Sequence, residues 1–89
     1  MLESPIEKAF KKHVETLGWW CLKLKVISHA GFPDRVLMKA PGRIVFVELK
    51  ATGKKPRPLQ VYVMKRLIKL GFEVHVIDSI EAGEKLITD

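Results

Sequence analysis

The chain predicts an α/β fold, a single mixed sheet with helices packed on it. Three observations carry this. Segments with apolar residues at helical spacing are interleaved with short β-branched runs, in the order α-β-β-β-α-β-α. Capping residues, glycines and prolines punctuate the boundaries. One run, Arg43 to Lys50, is apolar on both faces, as a central strand covered from both sides must be. Residues 1–89 are expected to form one small domain with a thin stability margin.

The first helix is expected to begin at Ser4, because Ser4-Pro5-Ile6-Glu7 reads as N-cap, proline at the first helical position and glutamate at the third. Ile6, Phe10, Val14 and Leu17 form its apolar stripe, and Gly18 closes it. Trp19 to Val26 reads as the first strand, with Trp20, Leu22, Leu24 and Val26 on the apolar face and Trp19, Cys21, Lys23 and Lys25 on a mixed one. Ser28 to Pro33 is a loop. Asp34 to Lys39 is a second strand, joined through the tight turn Ala40-Pro41-Gly42 to the third, Arg43 to Lys50. A loop from Ala51 to Pro58 leads to a second helix, Leu59 to Leu70, with Leu59, Val63, Leu67 and Leu70 inward and Gly71 after it. Phe72 to Ile77 is a fourth strand, and Ser79 caps a final helix reaching about Ile87.

Composition narrows the function. Apolar residues make up 47%, enough for a core and too many for a disordered tail. There is no run of about eighteen apolar residues to span a membrane. The N-terminus, interrupted by Pro5, Glu7, Lys8, Lys11 and Lys12, does not read as a secretory signal. Cys21 is the only cysteine, which excludes an internal disulfide and a multi-thiolate zinc site and makes a reducing, cytoplasmic setting the expectation. Sixteen Lys and Arg face ten Asp and Glu, a formal charge of +6 suited to a polyanion. A soluble basic protein without a nucleic-acid role would carry the same charge, so the site must decide.

Two carboxylates stand out because they sit where charge is costly. Glu48 and Lys50 share one face of the third strand, about 7 Å apart along it, and that face is otherwise apolar. A turn at Ala40 to Gly42 sets Asp34 roughly opposite Glu48 across the hairpin. Like charges directly opposite repel. A hard cation such as Mg²⁺ or Mn²⁺ would turn that repulsion into ligation, with the carbonyl oxygen of Leu49 as a third donor. Such a centre polarises a scissile phosphate and acidifies bound water, and Lys50 can orient that water or neutralise charge on the phosphate. The structural alternative for Glu48 is a buried salt bridge with Lys50 or Arg35. Lys54, Lys55 and Arg57, directly after this strand, are the best phosphate-contact patch, with Arg35 added beside the site. His13, His29 and His75 lack metal-motif spacing, and Trp19 and Trp20 suit core packing better than base stacking.

The strings Gly31-Phe32-Pro33-Asp34-Arg35 and Val47-Glu48-Leu49-Lys50-Ala51 resemble the PD-(D/E)xK nuclease superfamily, and the helix-led order is similar to its αβββαβ restriction-endonuclease-like core. The chain is more closely similar to the stand-alone VRR-type nucleases of phages and bacteria, with Gln60 at the start of the second helix and the Gly53-Lys54-Lys55-Pro56 loop fitting that pattern. The likeness runs from Glu3 to about Ile77. It implies a divalent-metal-dependent endonuclease (Mg²⁺ or Mn²⁺) selective for branched DNA such as a Holliday junction or flap. It also implies a homodimer, in a bacterial or phage-infected cell. It implies that Glu7 joins Asp34, Glu48 and Leu49 at the metal, with Glu3 as the substitute, and that Gln60 contacts metal-bound water or phosphate. Glu7 has a competing structural job in the helix capping box, and Gln60 could be an ordinary polar residue at a helix start. The alternative to an enzyme is a non-catalytic nucleic-acid-binding module or accessory subunit with the same fold.

Overall fold

The computed structural model describes residues 4–89. Helix α1 (Pro5–Thr16) starts where Ser4 Oγ accepts the Glu7 backbone N–H at 3.1 Å, with Pro5 in its first turn. There follow β1 (Trp20–Lys23), β2 (Arg35–Lys39), β3 (Arg43–Leu49), α2 (Pro58–Lys69), β4 (Glu73–Ile77) and α3 (Ile80–Leu86). The order and the mixed sheet are those the sequence predicts. Within the described residues the strands lie β1-β2-β3-β4, with the first two pairings antiparallel and β3–β4 parallel. A parallel pair needs a crossover, which α2 supplies. β3 is therefore paired along both edges.

Alternation along the strands builds two layers of core. On one side α1 and α3 cover Leu37, Val45, Val47 and Ile77, all at most 1% exposed. Gly83 of α3 makes this possible, since a Cβ there would stand 2.9 Å from Cδ1 of Phe10. On the other side α2 buries Val63, Met64 and Leu67 over the face carrying Phe46. The Phe46 ring meets Phe32 and Phe72 edge-to-face, at centroid distances of 5.8 and 5.5 Å.

Three sequence expectations are corrected here. β1 ends at Lys23 rather than Val26, because its partner β2 begins opposite it at Arg35; only the Leu24 N–H, bonded to the Asp34 carbonyl at 2.7 Å, extends the pairing. The deepest burial on this strand goes to the mixed face. Trp19 is 3% exposed beneath Lys39 and Arg43, while Trp20 is 63% exposed. The inward stripe of α2 is Gln60, Val63, Met64 and Leu67; Leu59 and Leu70 are exposed. Rolling the helix this way brings a polar side chain under the sheet at its first turn.

Candidate active site

The hairpin register pairs Arg35 with Val47. One step further along the same ladder sets Asp34 opposite Glu48, where the turn residues place it. The two belong to the α2 face of the sheet, at its end. Asp34 is exposed, just ahead of β2, and its Oδ2 accepts the Leu49 N–H at 3.2 Å. Glu48 is only 2% exposed.

Glu48 is held by two donors on one oxygen. Its Oε2 accepts Gln60 Nε2 at 3.0 Å and meets Lys50 Nζ at 3.2 Å. Its Oε1 is buried and has no hydrogen-bond partner among the described residues. Burial pushes the Glu48 carboxyl up from the ordinary glutamate range, and the charge of Asp34 pushes it further. The hydrogen bond and charge of Lys50, and the backbone N–H of Asp34, act against this without cancelling it. The environment thus disfavours the carboxylate, and the structural alternative of a satisfied buried salt bridge accounts for only one of its oxygens.

Gln60 serves both ends of its amide. Its Oε1 accepts the Arg57 N–H at 2.8 Å, closing the first turn of α2, while its Nε2 donates to Glu48. The two readings of Gln60 are therefore one arrangement, and its partner is the carboxylate itself. α2 can stand this close because of Gly31. At φ +85°, a Cβ on Gly31 would meet the Leu59 side chain at 2.9 Å and its carbonyl oxygen at 3.0 Å. Pro33, fully buried, carries the chain from that contact to Asp34.

Glu7 stands apart from this pair. Its carboxylate lies 3.3 Å from Arg35 Nη2 and 4.0 Å from Lys23 Nζ, which takes it away from the capping box. It lines one hollow with Leu49, Lys50 and Thr52, and another with Lys23, Lys25 and Asp34, so it borders the site on both flanks. Among the described residues no three or more His, Cys, Asp or Glu side chains come together as a metal-holding group. Glu7 is thus not gathered with Asp34 and Glu48 into one cluster. Its proposed substitute Glu3 lies outside the described residues.

Arg35 corrects a second expectation. It is 2% exposed and its guanidinium turns inward to Glu7, so it presents nothing to a phosphate. Strand alternation contained the signal, since Arg35 shares its face with the core residue Leu37, opposite to Asp34. Sequence reasoning also missed Lys23, which no motif marks. Lys54, Lys55 and Arg57 are exposed on the loop between β3 and α2.

The donor set suits a hard cation. Two carboxylates, one of them with a buried oxygen that lacks a partner among the described residues, match the needs of Mg²⁺ or Mn²⁺, which commonly take one or two carboxylates and complete their shell with water and phosphate oxygens.

No protein-family model matches the chain. It is 40% identical over 77 residues, 86% of its own length and 83% of the relative's, to a protein named "Putative nuclease p44" of Acyrthosiphon pisum secondary endosymbiont phage 1. A solved structure described as "VRR_NUC domain" superposes with a TM-score of 0.85 at 34% identity, covering 91% of this chain and 88% of that one.

Proposed function

The chain belongs to the VRR-type nucleases, and on that basis we propose that it is a divalent-metal-dependent endonuclease acting on branched DNA. The observation that carries this reading is the buried Oε1 of Glu48, without a hydrogen-bond partner among the described residues and set across the hairpin from Asp34. Asp34 and Glu48 would hold the Mg²⁺ or Mn²⁺, with the Leu49 carbonyl beside them. Bound there, the cation would supply Lewis-acid polarisation of the scissile phosphate and a water of lowered pKa.

The chain's own groups do the rest. Gln60 fixes the Glu48 carboxylate, leaving Oε1 directed away from its amide. Lys50, 19% exposed, sits between Glu48 and solvent, within reach of a phosphate oxygen or an attacking water. Glu7, beside both Asp34 and Lys50, serves as a bordering acceptor for outer water. Lys54, Lys55 and Arg57 hold the flanking phosphates, contacts that position DNA without reading its sequence.

Residues 1–89 act as one nuclease domain in this reading. Principal extents of 32 × 31 × 23 Å leave a single copy little surface for a branched substrate. A two-fold homodimer would present two such sites to a junction. No helix among the described residues is long and apolar enough to cross a membrane, and the one cysteine is free and buried. Both suit work in the cytoplasm of a bacterial or phage-infected cell.

The test is a panel of four-way junctions, flaps, forks and linear duplexes incubated with and without Mn²⁺. Metal-dependent scission of the branched members, abolished in Asp34→Ala, is the expected result. Metal-independent binding with no scission of any member would instead assign the chain as a binding module that kept the fold.

A further inference from the structure

The net charge of the chain is carried by one stretch. From Ala51 to Phe72 there is no Asp or Glu, and there are six cations: Lys54, Lys55, Arg57, Lys65, Arg66 and Lys69. The rest of the sequence holds ten Lys and Arg against ten Asp and Glu, so the whole formal +6 resides in these residues. Three of the six lie in the loop already assigned to phosphate. The other three belong to α2, and no function given so far uses them.

On α2 the cations are ordered. Tyr62, Lys65, Arg66 and Lys69 recur at i, i+3, i+4 and i+7, forming one helix face. The buried stripe Gln60-Val63-Met64-Leu67 has the same spacing two residues earlier, about 200° around the helix, so the cationic face is turned from the sheet. All four residues are exposed and together line one shallow hollow. Among the described residues none of the three cations is ion-paired. Three neighbouring positive charges without a counter-charge repel one another, and such a face is suited to an external polyanion. Gln60, in the first turn of the helix, meets Glu48, and nine residues of rise from it to Lys69 span about 14 Å. That span equals about four base-pair steps measured along a duplex axis.

We infer that this outward face of α2 is a second DNA track, holding the phosphate backbone of a duplex arm that leaves the site past the Lys54–Arg57 loop. The inference rests on the DNA-cleaving reading above and deepens it. Tyr62 supplies a hydroxyl donor nearest the site; Lys65, Arg66 and Lys69 supply charge along the arm. A lipid surface fits less well, because Val63, Met64 and Leu67 of α2 are buried under the sheet and the exposed Leu59, Ile68 and Leu70 stand at helix positions other than those of the cationic face.

The test compares Lys65→Gln/Lys69→Gln with a control of equal charge change on the opposite layer, Lys12→Gln/Lys85→Gln. Binding to a four-way junction is measured by fluorescence anisotropy in EDTA over a salt series, with cleavage in Mn²⁺ assayed separately. The track variant should lose about tenfold or more in affinity near 0.1 M salt, and its log Kd–log salt slope should fall by about two. The control should keep the wild-type slope, and Lys65→Arg/Lys69→Arg should restore binding, which a folding defect would not permit. A wild type that binds and cuts, beside a track variant of unchanged affinity and slope, overturns the track alone. A wild type that neither binds nor cuts overturns the functional reading as well. Lys65- and Lys69-dependent sedimentation with phosphatidylserine vesicles, at unchanged DNA affinity, would assign the face to lipid and also overturn it.

Discussion

Replacing Glu48 by Gln should remove cleavage and make the protein more stable. The change keeps the side-chain shape and removes a charge that its surroundings resist. An unpartnered buried atom such as Oε1 costs about 1–3 kcal/mol when neutral and more when charged, and the isosteric amide removes only the excess due to charge, on the order of 2 kcal/mol. Against this, the Gln60 contact drops from a charge-assisted to a neutral hydrogen bond, a loss of about 1 kcal/mol. The partly exposed Lys50 gives up a pair worth about 0–1 kcal/mol. The balance is about 0.5 kcal/mol in favour of the variant, or about 2–4 °C in Tm for a domain of this size. The pH dependence has a definite sign. Because the folded state raises the Glu48 pKa, it binds that proton more tightly than the unfolded chain. The associated stability is complete below the unfolded pKa and is lost as pH rises through the folded one. Wild type and variant should therefore differ least at acid pH and most above neutrality. Thermal unfolding followed by circular dichroism in chelated buffer, from pH 4 to 8, measures this. Mg²⁺ at ten times its Kd should return about 1.4 kcal/mol to the wild type and leave the variant unmoved. A variant that melts below the wild type at pH 8 without metal would refute the reasoning, and Glu48 would then be a structural ion-pair partner.

Lys50→Met should abolish cleavage and move the Glu48 carboxyl further up, since it removes the chief group that lowers it; the shift is read by carboxyl-detected NMR titration. Gly31→Ala should destabilise the fold by about 1–3 kcal/mol in urea unfolding, because it combines a strained φ with a backbone contact to Leu59, and should weaken cleavage through the displaced Gln60. Arg35→Met should cost stability of the same order by leaving Glu7 without its closest partner, while the salt dependence of DNA binding stays as in the wild type. A flattened salt slope in that variant would return Arg35 to the DNA surface.

Much of this architecture is legible in the sequence because it depends on neighbours along the chain. Ser4 and Pro5 start α1, Ser79 caps α3, and Gly18 and Gly71 follow the ends of α1 and α2, all through local backbone chemistry. The Ala40-Pro41-Gly42 turn sets the hairpin register, and period-two alternation then carries Asp34 and Glu48 to the same face. Helix orientation was harder to read. An apolar scale ranks Leu59 and Leu70 as core and Gln60 as surface, yet packing against Phe46 and the contact with Glu48 select the opposite roll. Trp19 and Trp20 are chemically equivalent in sequence, and the fold buries Trp19 beneath Lys39 and Arg43 while leaving Trp20 exposed.

The sequence by itself determined the order of elements, the mixed sheet, the facing carboxylates and the location of the positive charge, because each follows from local spacing or composition. Tertiary structure alone decided that Arg35 turns inward to Glu7, that Gln60 grips one oxygen of Glu48 and leaves the other without a partner among the described residues, and that the cations of α2 face solvent. Those outcomes depend on which surfaces of distant segments meet, and burial energy summed over a whole interface outweighs the preference of any single side chain.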